Sequence, residues 1–422
     1  MSVTIRMIEL QKKSPRDWIT KPLKRVCEIS TGMTPSTSND QYFANGTTLW
    51  VKPNDLNEFS PIENTDQKLT PLGVSVSRKI SGGSVLICGI GSIGKFGFSP
   101  REVTTNQQIH GISFFKHEID ERFGLYLCSS MSEVFQENSE TVVVSILTKG
   151  KLERLKVSYP PLQKQQLISQ YLDKKTSQID SLVEKIQKKI DLLKEQRTSL
   201  INHYVTKGLD PNAEMKDSGV EWIGEIPSHW DFRKLKHFYS YRKGSMGQKL
   251  TSSFIDENSG EYPVYSGQTS NDGILGTWNE FEFDFDTDVI FCTTVGAKLM
   301  TTRVLSGKFS LSQNCLIMIP KDNSISSRFV NYFLTYDFKI RRELLPSILQ
   351  PSLRMEDLDQ YWIPVPPFEE QIKIIDYVSK YWVSFEEMIS KLVYKTTLLK
   401  EYRQSIISSV VTGKVRVTED MI

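Results

Sequence analysis

Six residues, Gly89-Ile90-Gly91-Ser92-Ile93-Gly94, have the spacing of a dinucleotide-binding fingerprint, and with Lys95 they fall one residue short of a phosphate-binding P-loop. In both motifs the amides of a glycine turn cradle phosphate, and the helix that follows points its N-terminus at the anion. Here Phe96 stands where the magnesium-holding Ser or Thr would be, and Phe96-Gly97-Phe98-Ser99-Pro100 reads as strand or turn. A matching segment farther on, Thr293-Thr294-Val295-Gly296-Ala297-Lys298, lacks the glycines. Nucleotide binding is therefore not expected. Two readings stay open: a turn that offers amides and a lysine to nucleic-acid phosphate, and a purely structural turn.

Other chemistry is weaker still. Tyr159-Pro160-Pro161-Leu162 and Val365-Pro366-Pro367-Phe368 look like the Pro-Pro-aromatic loop of amino-methyltransferases, but Tyr159 and Val365 cannot bond a target amine. They read better as helix starts, where proline suits the first turn. Glu214-Met215-Lys216 matches the tail of a nuclease signature but lies in a polar connector, not after a core strand. Five widely spaced cysteines without a Cys-x-x-Cys pair, and five scattered histidines, suggest neither disulfides nor zinc. No Ser/His/Asp or paired-carboxylate arrangement stands out. The chain reads as non-catalytic.

The elements that would position these residues come in two copies. At a fixed shift of 206 residues, Gln165 falls on Gln371, Ile168 on Ile374, Tyr171 on Tyr377, Lys185 on Lys391, Arg197 on Arg403 and Val205-Thr206 on Val411-Thr412. Repetition at so long a period marks a duplicated half-protein and not a solenoid. Leu172, Ile179, Ile186, Leu193 and Leu200 lie seven apart, and so do Val378, Phe385, Leu392, Leu399 and Ile406. Apolar residues at this period make a seam that needs a partner seam. A second, less regular line comprises Ile168, Leu182, Val183, Ile190 and Tyr204, with Ile374, Met388, Ile389, Thr396 and Val410 in the other copy. Two helices of roughly 40 residues, about 60 Å each, are expected to pack on each other as an antiparallel coiled coil. Gly208 followed by Pro211 stops the first.

The intervening stretches share landmarks but little else. Trp230, Leu235-Lys236 and Gly244 match Trp18, Leu23-Lys24 and Gly32 at a shift of 212, and Arg328-Phe329 with Tyr332 matches Arg122-Phe123 with Tyr126 at 206. Val289-Ile290-Phe291-Cys292 is aligned with Val85-Leu86-Ile87-Cys88. The reading divides the chain into a variable domain (1–159), a long helix (160–208), a connector (209–229), a second variable domain (230–365) and a second helix with a tail (366–422). The fold class is α+β: two mixed α/β domains in pseudo-twofold arrangement, separated by the two helices. The 39% hydrophobic and 24% charged content is that of a globular protein. A net charge of +2 requires any basic surface to be local. With no apolar run near 18 residues and no signal core, a soluble, cytoplasmic protein is expected.

Taken together, these features resemble the specificity (S) subunit of a Type I restriction-modification system. Two variable domains each precede a Pro-Pro-x-x-x-Gln-initiated long helix. The connector Asp217-Ser218-Gly219-Val220-Glu221-Trp222-Ile223-Gly224-Glu225-Ile226-Pro227-Ser228-His229-Trp230 is similar to the phrase opening the second half of many such subunits. Gly32-x-Thr34-Pro35-Ser36, Ile93-Gly94-Lys95 and Tyr262-Pro263-Val264-Tyr265-Ser266-Gly267 add to the likeness, which covers essentially the whole chain. The resemblance implies a non-catalytic, DNA-reading subunit whose variable domains are target-recognition domains. Each would read one half of a split site in double-stranded DNA. The helices would act as a spacer and dock methyltransferase (M) subunits, which a restriction/translocase (R) subunit joins. S-adenosylmethionine, ATP and magnesium would belong to those partners, no cofactor to this chain and no membrane to the complex. The domains differ at the glycine turn and over residues 240–280, so the half-sites should differ. Half-sites should lie about 34 Å or a multiple apart, one helical turn each, and helix length should set the unread gap.

Within that frame the candidate DNA-facing residues are the polar loops around the glycine turn: Ser92, Gly94, Lys95, Asn106, Gln107 and Gln108. In the second domain they are Thr294, Lys298, Ser312, Gln313 and Asn314, with Ser266, Gln268 and Thr269 from a nearby loop. Lysine offers phosphate contacts, and Gln or Asn can pair with adenine in the major groove; the same residues can instead satisfy turn backbone. Two other classes remain: a coiled-coil adaptor with two ligand-binding domains, and a stand-alone DNA-modifying enzyme, for which no cofactor or metal motif survives its context.

Overall fold

The computed structural model describes residues 15, 17–141, 144–268, 271–296, 298–344 and 352–422. It divides into two compact units, one made of residues up to Ile186 with Tyr394–Ile422, the other of Gln187–Val393. Each long helix is thus shared between units, and the division falls inside the helices rather than at their ends.

The first long helix runs Leu162–Lys207 over 46 residues, about 69 Å at 1.5 Å per residue. The second runs Phe368–Val411. Both begin as the prolines direct: the carbonyls of Pro161 and Pro367 accept from the amides of Gln165 and Gln371. Gly208 and Gly413 end the helices with φ of +75°, a left-handed turn that costs a glycine little. Trp18 and Trp230 close over these two glycines, each with Cζ2 where an added Cβ would come within 3.2 Å.

The helices run antiparallel wherever they meet within a unit. In the first unit Asp180 accepts from Arg403, at 2.9 and 3.2 Å, and Lys174 reaches the carbonyl of Ile422. In the second Arg197 pairs with Glu386 and Tyr204 lies against Tyr377. The two ion pairs are the same pair twice, since Asp180 and Arg197 fall on Glu386 and Arg403 at the repeat shift. None of the ten heptad residues is exposed. In the second line Leu182 and its counterpart Met388 correct the expectation. Both face solvent, while their neighbours Val183 and Ile389 turn inward. A helix turns 100° per residue, so the seam takes one of two adjacent apolar residues and leaves the other outside.

Each unit is built on the same sheet. In the first the strands lie in the order Cys27–Thr31, Ile109–Phe114, Ser84–Cys88, Phe96–Ser99, all antiparallel. In the second the order is Tyr239–Lys243, Cys315–Pro320, Phe283–Thr293, Thr302–Leu311. One face of each carries a helix (Glu121–Ser130 and Ser327–Leu344) and the ends of the long helices, with Phe123 and Phe329 fully buried in the two cores. The alignment of Val85–Cys88 with Val289–Cys292 is one residue out of register. Val85 pairs with Ile112 and Ile290 with Met318, and Ile112 and Met318 are themselves equivalent. Val85 therefore matches Ile290, and Ile87 matches Cys292, the pairs that face the helix core. Alternation along a strand reverses the facing of every side chain when register slips by one, which similarity between apolar runs does not reveal.

The additions differ. The first unit carries a second four-stranded sheet, Lys68–Leu69, Thr48–Val51, Val103–Thr105, Lys79–Ile80, packed behind the first through Leu86, Cys88 and Ile109. The second unit instead extends its main sheet to six strands with Ser259–Tyr265 and Ile274–Trp278. This is the region, 240–280, where the sequences part.

One side chain ties each helix to its domain. Gln165 is fully buried. Its Oε1 accepts from the Asp120 amide at 2.8 Å, and its Nε2 donates to the carbonyls of Glu118 and Pro160 at 2.9 and 2.8 Å. Gln371 repeats this with the Ser326 amide at 2.8 Å and the carbonyls of Ser324 and Pro366 at 3.5 and 2.9 Å. A neutral amide can do both, being donor and acceptor at once.

Candidate nucleic-acid interface

In the first unit three loops meet at one end of the main sheet. The chain leaves the strand Cys27–Thr31 at Gly32, whose amide donates to Ile109 at 3.0 Å, and Met33 donates to the Thr105 carbonyl at 3.0 Å. A Cβ on Gly32 would stand 2.0 Å from Thr105 Oγ1, so only glycine lets this loop approach. The turn Asn106–Gln108 is closed by Asn106, which accepts from the Gln108 amide and donates to its side chain at 2.8 Å. The glycine turn joins it where the Gly89 amide donates to Gln108 at 2.7 Å. Behind lies His110, with Nε2 2.9 Å from the Leu147 carbonyl and Nδ1 2.9 Å from Thr31 Oγ1. Burial holds its pKa below the usual imidazole range, so it is neutral, donating from Nε2 and accepting from the threonine.

The second unit builds the same corner from different residues. The Thr294 amide donates to Asn314 at 2.8 Å, repeating the bond from Gly89 to Gln108. Gly247 lies against Ser312 and Gln313, as the loop from Gly32 lies against Thr105 and Asn106. A loop without a counterpart in the first unit joins here: Ser312 donates to Tyr265 at 2.8 Å, and Ser266 receives the Gln268 amide at 3.3 Å. Thr293 Oγ1 holds the following hairpin by accepting from the Thr301 amide at 2.9 Å.

The predicted residues separate by exposure. Ser92, Gln107, Lys298, Gln313 and Asn314 are exposed, and Gln108, Gln268, Ser312 and Lys95 are half-buried. Asn106, Ser266 and Thr294 are buried; Asn106 and Ser266 accept from turn amides, and Thr294 joins the corner through its own amide. Gly94 is also covered, because a Cβ there would stand 2.4 Å from Ser132 Oγ. Lys95 donates to the Pro53 carbonyl at 2.6 Å, which fixes the glycine turn to the 3-10 turn Pro53–Asp55 that follows the strand Thr48–Val51. Thr269 lies outside the described residues. Sequence reasoning passed over Thr34, which donates to Gln107 Oε1, and Arg78, which donates to the Thr31 carbonyl at 3.1 Å. The Gly-x-Thr-Pro turn carried the signal for Thr34; nothing in the sequence marked Arg78.

Among the described residues nothing at this corner assembles a nucleophile with a base. Among the described residues no group of three or more His, Cys, Asp or Glu could hold a metal ion, and no helix is long and apolar enough to cross a membrane. The five cysteines are buried as free thiols, and burial pushes Cys27 up to about 12, which leaves it an inert core residue. Glu214-Met215-Lys216 enters a two-stranded ribbon, Met215–Asp217 with Glu225–Pro227, where Lys216 holds the Trp230 carbonyl.

A twice-built sheet corner carried on a pair of long helices defines a duplicated, two-domain recognition scaffold. The chain matches the Type I restriction modification DNA specificity domain over residues 15–192 and 227–392, and it belongs to that family. It is 25% identical over 424 residues to the putative type I restriction enzyme MjaX specificity subunit of Methanocaldococcus jannaschii, covering 96% of this chain and 95% of that one. The MjaIX specificity subunit of the same organism is 23% identical over 430 residues, with the same coverage. A chain solved in work on complex assembly and conformational transition of the type I R-M system superposes with a TM-score of 0.65, at 18% identity, over 96% of this chain and all of that one. That likeness establishes the fold.

Proposed function

We propose that this protein is the DNA-reading subunit of a Type I restriction-modification complex. Each unit reads one half of a split, asymmetric site in double-stranded DNA through the loop corner of its sheet. The observation that carries this reading is the corner itself. The same backbone bond, Gly89 to Gln108 and Thr294 to Asn314, holds two turns that share an exposed glutamine, Gln107 or Gln313, and otherwise expose different polar side chains: Ser92 in one, Asn314 and Lys298 in the other. Side-chain amides have the geometry to pair with adenine edges, and a lysine to meet phosphate. Different side chains on a common frame give different half-sites.

The chain performs no chemistry in this reading. Methyltransferase subunits dock on the helices, a restriction/translocase subunit joins them, and S-adenosylmethionine, ATP and magnesium are bound by those partners. In support, the second long helix leaves Ile372, Val383, Val393, Tyr394, Leu398 and Tyr402 at 40 to 65% exposure, more apolar surface than a helix facing only water needs.

Co-purification with a Type I methyltransferase subunit, followed by sequencing of host DNA for modified adenine, tests the proposal. A split asymmetric motif that vanishes on deleting this chain is the expected result. Binding without a motif would leave a silent specificity subunit, and absence of binding would favour a coiled-coil adaptor.

A further inference from the structure

The second sheet of the first unit brings a cation to the loop corner. Arg78 directly precedes the strand Lys79–Ile80, which lies at the edge of that sheet. Lys79 pairs antiparallel with Thr104, which sets Arg78 level with Thr105, where the turn 106–108 begins. Two bonds tie this segment to the loop that leaves the main sheet at Gly32. Ser77 Oγ donates to the Met33 carbonyl at 3.2 Å, and Arg78 Nη1 donates to the Thr31 carbonyl at 3.1 Å. The next residue of the loop, Thr34, donates to Gln107. Arg78 and the exposed Gln107 are thus both tied to residues 31–34.

The Arg78 side chain is exposed, and its charge is not spent. Among the described residues no carboxylate pairs with it. A main-chain carbonyl aims the guanidinium without neutralising it. Of the five donors in this flat fork one is used, and the edge from Nε to Nη2 keeps two parallel N–H groups. Such an edge matches a pair of adjacent acceptors. DNA offers that pair from two sources, a phosphate group and the O6/N7 edge of guanine. The neighbours favour the base. Val76 precedes Ser77 in the chain and Met33 accepts its bond, and these two apolar residues are 38 and 44% exposed. Apolar side chains suit the major-groove floor, where thymine methyls lie, better than the charged backbone.

We infer that Arg78 reads a guanine in the half-site of the first unit. This rests on the proposed function, because the corner must face DNA for the arginine to reach a base. The second unit spends its additional strands, Ser259–Tyr265 and Ile274–Trp278, on extending the main sheet. Among the described residues it has no counterpart of the strand Lys79–Ile80, so this contact belongs to one half-site only.

The test uses the full chain in complex with purified methyltransferase subunit. Affinity is measured for a duplex carrying the modified motif, and for duplexes in which each of its guanine–cytosine pairs is replaced in turn by adenine–thymine. One bidentate contact gives the wild type a preference of about 5- to 150-fold for guanine at its position. In Arg78→Ala that preference is expected to fall within twofold at one guanine of one half-site. Discrimination in the other half-site persists and shows the complex intact. Arg78→Lys keeps the charge without the fork, so it should lose most of the preference and keep the wild-type slope of log affinity against log salt. It decides the matter should alanine loosen the loop. If the wild type recognises no motif, the proposed function falls and this reading with it. A motif without guanine, or a preference unchanged in both variants, overturns the reading alone. Equal weakening on every duplex, with a salt slope smaller by about 0.9 in Arg78→Ala, overturns it in favour of a phosphate contact.

Discussion

Gln165→Ala is expected to loosen the helix Glu121–Ser130 without unfolding the chain. The substitution removes three hydrogen bonds of 2.8 to 2.9 Å and strands the Asp120 amide with the carbonyls of Glu118 and Pro160. An unsatisfied buried group costs about 1–3 kcal/mol. Water entering the space left by the side chain satisfies part of the loss, so the net effect is about 2–3 kcal/mol rather than the full sum. Asp120 is the helix cap, accepting from Arg122 and Phe123 at 3.1 and 3.0 Å, which concentrates the effect on the first turn. In native-state hydrogen exchange that loss raises the rate for amides 120–126 about 30- to 150-fold. Gln371→Ala should do the same to the amides around Ser326 and leave 120–126 alone. Exchange within threefold of wild type in both variants would refute the assignment of these glutamines as clamps.

The remaining expectations concern charge and length. Asp337 is 1% exposed and burial pushes it up to about 6, offset only in part by Arg341 at 3.0 Å; its stabilising contribution is therefore fullest below about pH 4 and is lost as pH rises through 6, at a cost of up to ~3 kcal/mol. Asp337→Asn should accordingly raise the melting temperature at pH 7.5 and give no gain at pH 3.5, and the opposite order would refute it. Lys298→Ala should lower the slope of log affinity against log salt by about 0.9, the share of one phosphate contact, and an unchanged slope would remove Lys298 from the interface. Four residues inserted near Lys188 should change the unread gap of the modified motif while both half-sites persist; an identical gap would end the ruler idea.

The scaffold was legible because repetition is a pattern in sequence alone. Heptads and the Pro-Pro starts pointed to the two long helices, which run Leu162–Lys207 and Phe368–Val411, and the Arg-Phe-Tyr match falls on the domain helices Glu121–Ser130 and Ser327–Leu344. Gln165 and Gln371 were visible as a repeated pair, but their role was not, since a buried amide clamp depends on carbonyls some 45 residues away. The strand register failed for the same reason: Val85–Cys88 and Val289–Cys292 are apolar throughout, and only hydrogen-bonded partners decide which residues face the helix. At the loop corner most of the residues named from the sequence fall on turns that the sheet end brings together. It could not tell Gln107, which is exposed, from its neighbour Asn106, which closes the turn, because turn-forming and base-reading residues are the same chemical types.

The two halves divide their side chains by task. Those that recur at the fixed shift make the frame: the clamping glutamines, the Asp180–Arg403 and Arg197–Glu386 pairs, and the buried Phe123 and Phe329. Those that differ lie where the frame opens outward: at Gln108 against Asn314 on the sheet corner, beside the recurring glutamine Gln107 or Gln313, and over residues 240–280. A frame residue is tied to several partners at once, so exchanging it strands buried groups at about 1–3 kcal/mol each. An exposed turn residue has few such ties and exchanges within about 0.5 kcal/mol. The duplication therefore leaves the corner side chains free to change on one half while the helix frame is held by its own packing. That asymmetry of cost is what lets one chain carry two unlike corners.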